Sequence, residues 1–136
     1  MLGEHGESQF VAWSIASIGG VPIDYALPPD TFNRIALAEE CKHEGQRIIE
    51  AKGAIAFGIG PVISSICSSI LFDKRKIYPI SHFQPDLDCC LSLPVVLGRK
   101  GIIRTIPLPL NSEEKTNLME TAKTLRERVE RIRDNV

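Results

Sequence analysis

The sequence contains few aromatic residues and no segment suited to crossing a membrane. Aromatic residues make up 6% of its 136 positions, and no apolar run reaches the roughly 18 residues that a bilayer span requires. Met1 is not followed by a basic segment and an apolar core of the kind that directs secretion. We therefore expect a cytoplasmic protein with no membrane partner.

An excess of charge of one sign is also absent. The chain has 16 basic and 17 acidic residues, and no like-charged tract stands out. A protein that binds nucleic acid or an anionic surface normally carries a basic patch or tract. The charge balance therefore predicts no nucleic-acid partner, and the expected ligand is a small molecule.

Cysteine spacings typical of disulfide or zinc sites are missing. Cys89 and Cys90 are adjacent, and neighbouring residues of a strand point to opposite faces, so free reduced thiols are expected. Residues able to ligate a metal are present, but none falls into a zinc-like spacing, and we expect no metal site. These residues are Glu4, His5, His43, His82, Cys89 and Cys90.

The chain also lacks the G-x-G-x-x-G run that opens a dinucleotide-binding fold after a strand. The nearest candidate is Gly58-Ile59-Gly60-Pro61. It places proline at a variable position and lies in an apolar helical stretch rather than at a strand end. We therefore predict no phosphate loop in this sequence.

The remaining pattern predicts one α+β domain over residues 1–136, with a hydrophobic content of 43% that supports a globular core. An N-terminal hairpin is expected first, because Val11, Trp13 and Ile15 alternate with smaller residues and Gly19-Gly20 can form the turn. Trp13 is expected to anchor the core.

Three helices and a small antiparallel sheet are expected after the hairpin. A patchy apolar pattern predicts a helix over residues 30–52, weakened in its middle by Gly45. Isoleucine and valine spaced by three and four predict a second helix over 55–72, whose start should be broken or late because of Gly58, Gly60 and Pro61. Two or three strands are expected, over about 76–83, 88–97 and 101–108.

The last helix has the clearest signals. Asn111 can cap its first turn, and Glu114 stands three residues later, as in a capping box. Its arginines lie near the C-terminus, where the helix dipole favours cations, and acidic residues alternate with them. This alternation favours a solvated, salt-bridged face over a phosphate site.

A histidine framed by glycines lies near the N-terminus, at His5. Imidazole titrates near pH 6.5 and can exchange a proton at physiological pH, and the flanking glycines permit close approach of a ligand. Such a residue can equally be an exposed turn histidine without a chemical task, and the residues alone leave both interpretations open.

Several segments of the chain resemble the L-lactate and malate dehydrogenase family. Gly3-Glu4-His5-Gly6-Glu7-Ser8 is similar to the active-site histidine motif of that family. Further blocks follow in the family's order, and they are 10–14, 49–53, 78–81 and 91–98. The resemblance implies the C-terminal, substrate-side domain of a bacterial-type L-lactate or L-2-hydroxyacid dehydrogenase, without the NAD-binding Rossmann half.

The resemblance also implies roles for three residues. His5 would protonate the keto oxygen of a 2-oxo acid while reduced NAD delivers hydride, with the reverse on oxidation. Ile55 would face the substrate side chain, at a position where lactate-specific members carry threonine. Ile59 would lie over the nicotinamide ring.

Two departures from the family qualify this assignment. Glu7 replaces the usual aspartate, and Ile55 removes a hydroxyl from the pocket, which puts pyruvate in doubt as the preferred substrate. This chain alone is expected to lack activity and to bind no NAD tightly. The alternative is a truncated, non-catalytic fragment that acts as an oligomerisation module, and a homo-oligomer is expected in either case.

Overall fold

The computed structural model describes residues 1–4, 8–28 and 30–134. The expected α+β class is confirmed. The elements in chain order are a 3-10 turn at Trp13–Ile15, β1 (Ser17–Ile18), β2 (Val21–Pro22), α1 (Ile23–Ala26), α2 (Arg34–Lys52), α3 (Ala56–Leu71), β3 (Lys76–Gln84), β4 (Cys89–Gly98), β5 (Gly101–Thr105) and α4 (Ser112–Asp134).

The chain divides into two compact units. The first unit contains residues 1–34, 81–92 and 108–136, and the second contains 35–80 and 93–107. The first unit therefore holds the N-terminal segment and α4, whereas the second holds nearly all of α2, all of α3, and β5.

The N-terminal hairpin exists but is much shorter than the alternation predicts. Only Ser17–Ile18 and Val21–Pro22 pair, around Gly19 and Gly20, whose φ values of 61° and 86° suit glycine. Trp13 belongs to the preceding 3-10 turn and not to a strand, so the prediction of a strand there is wrong.

The contacts of Trp13 explain this difference. Its half-buried ring stacks at a tilt against Phe32, with 5.7 Å between ring centroids, and the Arg34 guanidinium lies 5.5 Å from its centroid. Packing against a later segment overrides the local alternation, as is common for short strands.

Helix α4 begins with the predicted capping box. The Glu114 backbone N–H donates to Asn111 Oδ1 at 2.8 Å, and the Asn111 backbone N–H donates to the Glu114 carboxylate at 3.1 Å. Thr121 and Ala122, two turns further along, are fully buried. The capping hydrogen bonds at its start and the buried residues on one face therefore both stabilise this helix.

Helix α3 begins at Ala56 and runs through Gly58, Gly60 and Pro61 without interruption. The prediction of a broken or late start is therefore wrong. Proline in a helix interior removes one hydrogen bond and costs about 3 kcal/mol, but the backbone N–H groups of Gly58 and Ile59 both donate to the Ile55 carbonyl, at 2.9 and 3.1 Å. These bonds close the first turn ahead of the proline.

Helix α2 has no buried residue, and charge pairs lie along its surface. Lys42 contacts Glu39 at 3.2 Å, and Arg47 contacts Glu44 at 3.4 Å, each at the i,i+3 spacing. Within the described residues, no single helix has the length and apolarity of a membrane span, and only α2 and α3 taken together reach them, across a bend of 120°.

The three larger strands confirm the predicted sheet and are ordered β3-β4-β5. Strands β4 and β5 are antiparallel, with Gly98 opposite Gly101 and an irregularity between Val96 and Leu97. Val95 in β4 is completely buried. The sheet core therefore lies along the alternate, inward-facing positions of β4.

Candidate functional site

The predicted proton-transfer residue, His5, lies outside the described residues, but the chain on either side of it is described. Leu2 and Phe10 form an antiparallel bridge, with N···O distances of 2.8 and 3.0 Å between their backbones. Gly3 has φ of +99°, and a β-carbon there would lie 2.6 Å from the Ser8 carbonyl oxygen. Glycine is therefore required where residue 3 approaches the Ser8 backbone.

Glu4 and Ser8 both contact α4. The Glu4 carboxylate, 5% exposed, forms an ion pair with the Arg128 guanidinium, which is 58% exposed. On the C-terminal side of the segment, Thr121 Oγ1 donates to the Ser8 carbonyl at 3.2 Å. The residues immediately beside the His5-Gly6-Glu7 segment are thus fixed to one helix.

A cleft of about 320 Å³ lies between residues 8–10 and α4. Its lining is mostly polar, with hydroxyl, amide and carboxylate groups and one aromatic ring. Ser8 Oγ is buried and has no hydrogen-bond partner among the described residues. The lining consists of Ser8, Gln9, Phe10, Asn117, Glu120, Thr121 and Thr124.

The two predicted pocket residues, Ile55 and Ile59, lie together at the start of α3 in the second unit. Ile55 is the half-buried residue that precedes the helix, and its carbonyl accepts the Ile59 N–H at 3.1 Å. Its Cδ1 lies 3.6 Å from the position that a β-carbon on Gly45 would occupy. Ile59, 43% exposed, presents an open apolar side chain one turn further on.

The exposed Ile59 side chain bears on whether the chain could contact NAD. An accessible apolar side chain at the start of α3 fits the face of a nicotinamide ring. The sequence has no glycine-rich phosphate loop, so the pyrophosphate would have to be held elsewhere.

Glu114 is a second buried carboxylate, and its sequence position indicates only a capping role. It also accepts the Ser14 backbone N–H at 2.9 Å and the Ser14 hydroxyl. Burial raises the pKa of this carboxyl, but the hydrogen bonds from Ser14 and Asn111 outweigh burial and hold the pKa below its usual value. Glu114 thus joins the start of α4 to the 3-10 turn and is ionised at neutral pH.

The contact between Glu4 and Arg128 follows from no sequence pattern. The two residues are 124 positions apart, and no local spacing rule links them. The available signal was an acidic residue inside the histidine motif together with arginines on the last helix, and that signal does not identify the pair.

The four cysteines are free thiols. Cys89 is buried, and burial raises the pKa of its thiol, whereas Cys90 is exposed. Among the residues that the structure describes, no group of three His, Cys, Asp or Glu side chains could hold a metal ion.

The described elements are a short N-terminal hairpin, two long helices, a three-stranded sheet and a capped C-terminal helix. Over residues 1–136 the chain matches the family described as lactate/malate dehydrogenase, alpha/beta C-terminal domain, and it belongs to this family.

Relatives with curated names support the assignment. The L-lactate dehydrogenase of Thermus aquaticus is 35% identical over 137 residues, which covers 93% of this chain and 44% of the relative. The L-lactate dehydrogenase of Kosmotoga olearia is 34% identical, covering 99% of this chain and 45% of the relative. The chain therefore spans less than half the length of these relatives.

Solved structures agree with the sequence relatives. A lactate dehydrogenase from a Medee basin deep-sea metagenome library superposes with a TM-score of 0.84 at 31% identity, over 95% of this chain and 44% of the other. The malate dehydrogenase of Aeropyrum pernix gives a TM-score of 0.79 at 30% identity, with the same coverage. The expected family and fold are confirmed.

Proposed function

We propose that this chain is the substrate-side domain of an NAD-dependent L-2-hydroxyacid dehydrogenase, with His5 as its proton donor and acceptor. The observation that carries the proposal is the family match over all 136 residues, which includes the Gly3-to-Ser8 histidine motif. The proposal places the nucleotide-binding half outside this chain. It also places the protein in the cytoplasm, where four free thiols stay reduced.

The division of labour follows from the chemistry. NAD, when bound, accepts or supplies the hydride. His5 holds the proton at the substrate oxygen, and the exposed side chain of Ile59 covers the ring face and helps to exclude water. Ile55 lies beside the substrate side chain and limits the space available to it.

Magnitudes indicate that the chain cannot turn over substrate alone. A positioned general acid contributes about a hundred- to ten-thousand-fold, or roughly 3 to 5 kcal/mol. Enzymes typically supply about 8 to 23 kcal/mol. The remainder must come from the cofactor and from groups that clamp and orient the substrate, which this proposal assigns to a nucleotide-binding domain.

Ile55 favours a 2-oxo acid other than pyruvate. A branched hydrocarbon side chain cannot donate a hydrogen bond, and it changes the shape of the pocket beside the substrate. One methylene in such a pocket changes discrimination by about 1 to 3 kcal/mol. We therefore expect selectivity among 2-oxo acids to depend on residue 55.

The test joins the full 136-residue chain to the segment of the Thermus aquaticus relative that it does not match. NADH oxidation is then followed with a series of 2-oxo acids. His5→Asn should lower kcat at least about a hundredfold. The matched control is His43→Asn, which changes an exposed histidine on α2 and should leave the rate unchanged.

Equal rates for His5→Asn and the unsubstituted fusion would refute the proton-transfer role. Ile55→Thr should shift the preference toward pyruvate, and an unchanged substrate profile would remove the pocket assignment.

A second candidate function is a non-catalytic oligomerisation module. It is favoured by the apolar side chains that α3 exposes, among them Phe57, which is 77% exposed; such surface promotes association. Sedimentation of the chain alone tests it. Loss of a stable homo-oligomer in Phe57→Asp, together with no activity in the fusion, would favour this function over the dehydrogenase.

A further inference from the structure

Two glycines inside helices border the side chain of Ile55. A β-carbon added to Gly45, in α2, would lie 3.6 Å from Ile55 Cδ1, and one added to Gly58, in α3, would lie 3.9 Å from Ile55 Cγ1. Both are ordinary van der Waals distances. Apart from each glycine's chain neighbours and its own helix backbone, no other described atom lies within 4 Å of either position. Each glycine therefore leaves room for a methyl group beside one isoleucine.

Backbone conformation does not require glycine at either position. Neither Gly45 nor Gly58 has a positive φ, and in a helix interior glycine is less favourable than alanine. Alanine would fit at both positions without a clash. The consequence of glycine here is thus freedom of movement for the Ile55 side chain.

The turn between the two helices brings Ile55 back to α2. Gly53, with φ of +74°, ends α2, and its N–H donates to the Ile49 carbonyl at 2.7 Å. Helix α3 then leaves at a bend of 120°, and the Ile55 carbonyl accepts the Gly58 N–H at 2.9 Å. Hydrogen bonds therefore hold the main chain of Ile55, whereas its Cδ1 methyl lies beside the gap at Gly45.

We propose that Gly45 determines substrate specificity through Ile55, so that the full dehydrogenase accepts 2-oxo acids whose apolar side chains are longer than the methyl group of pyruvate. This inference rests on the proposed function, which puts Ile55 beside the substrate side chain. A longer substrate side chain requires the Cδ1 methyl to give way, and the missing β-carbon at position 45 gives that methyl a place to move. Gly45 is a positioning residue, since it acts through Ile55 and does not touch the substrate.

Kinetics of the fusion with the Thermus aquaticus segment test the effect on substrate choice. The measured quantity is the ratio of kcat/KM for 2-oxohexanoate to kcat/KM for pyruvate. Gly45→Val should lower this ratio about tenfold, because space for one methylene changes discrimination about 10- to 200-fold. Gly45→Ala should lower it less, since its methyl only reaches contact distance. Gln46→Val puts the same side chain at the next, exposed position of α2 and should leave the ratio unchanged.

The contact itself can be isolated, because Ile55→Val removes only the Cδ1 methyl. If Gly45 acts through that methyl, Gly45→Val should change the ratio little in the Ile55→Val background, whereas independent effects would multiply. An equal loss in both backgrounds would mean that residue 45 acts by another route, and it would overturn the inference.

NMR on the 136-residue chain reports the same contact without substrate. The Ile55 Cδ1 methyl signal is assigned by its loss in Ile55→Val. Gly45→Ala should shift that signal more than the other isoleucine Cδ1 signals, whereas Gly60→Ala, whose added β-carbon meets open space, should leave it in place. If Gly45→Val does not fold, Gly45→Ala serves in both tests, because a methyl group fits at 3.6 Å from Ile55 Cδ1.

The outcomes distinguish this inference from the proposed function. If His5→Asn abolishes activity and Ile55→Val alters the ratio, but both substitutions of Gly45 leave it unchanged, the role of Gly45 is wrong and the proposed function stands. If His5→Asn has no effect on activity, the proposed function fails, and the specificity role fails with it even where the methyl signal responds to residue 45. A fusion with a higher kcat/KM for pyruvate than for 2-oxohexanoate would refute the substrate class.

Discussion

Replacing Glu114 by glutamine should destabilise the fold more than its position in the first turn of a helix suggests. The carboxylate is 5% exposed and accepts three hydrogen bonds, from the Ser14 N–H, the Ser14 hydroxyl and the Asn111 N–H. A hydrogen bond to a charged group contributes about 1.5 to 3 kcal/mol, and a neutral bond about 0.5 to 1.5. The glutamine side chain keeps one acceptor oxygen and turns its amide toward donors.

The expected loss is therefore about 2 to 3 kcal/mol in the free energy of unfolding at pH 7, measured by urea denaturation followed by circular dichroism. Glu114→Ala should cost at least as much as Glu114→Gln, because it removes both acceptor oxygens that the Ser14 and Asn111 donors use. Glu113→Gln is the matched control. Glu113 is exposed, and its loss removes only a helix-dipole interaction of about 0.3 to 1 kcal/mol.

The contribution of Glu114 to the free energy of unfolding depends on pH, and the direction of that dependence follows from its pKa. The hydrogen bonds hold the folded-state pKa of Glu114 below its unfolded value of about 4.3. A carboxyl with a depressed folded pKa contributes stability that is fully present above the unfolded pKa and is lost as pH falls through the folded pKa. The difference between the unsubstituted chain and Glu114→Gln should therefore shrink as pH falls below about 4. A difference that stays constant from pH 7 to pH 3, or that equals that of Glu113→Gln, would refute this reasoning.

Two further predictions concern glycine and cysteine. Gly3→Ala should lower the free energy of unfolding by about 2 kcal/mol or more, because φ of +99° and the Ser8 carbonyl both oppose a β-carbon. Gly60→Ala, where a β-carbon meets open space inside α3, should instead raise it by up to about 1 kcal/mol in the same denaturation assay, and equal effects would contradict the geometry. Iodoacetamide at pH 8 followed by peptide mass mapping should label Cys90 at least about tenfold faster than Cys89, whose buried thiol has a raised pKa, and equal rates in the folded chain would contradict the burial.

Local patterns predicted the parts of the fold that local interactions determine. Asn111 and Glu114 identified the start of α4 because the capping box needs only two residues at a fixed spacing. The three larger strands were predicted within a few residues for a similar reason, since alternation and turn residues mark them.

Elements whose form depends on distant contacts were predicted poorly. The ring of Trp13 packs on Phe32 and Arg34, and the segment became a 3-10 turn instead of a strand. In α3, Gly58 and Pro61 predicted a break, yet Ile55 supplies its carbonyl to the first turn and the helix continues. Local propensity was a weak guide where tertiary packing opposed it.

The candidate site divides along the same line. His5, Ile55 and Ile59 were named through resemblance to a family, and the family membership is now shown, while the individual roles stay predictions. The pairing of Glu4 with Arg128 could not be predicted, because residues 124 positions apart become neighbours only in the folded chain.

The glycine in the middle of α2 determines how much room lies behind the Ile55 side chain. Glycine at position 45 weakens the helix, but it leaves room for the Ile55 side chain. The Ile55 Cδ1 methyl lies 3.6 Å from the position that a β-carbon on residue 45 would occupy. A residue larger than alanine at position 45 would therefore displace the Ile55 side chain. The position of the Ile55 side chain can thus be adjusted from the helix behind it, without changing residue 55 itself.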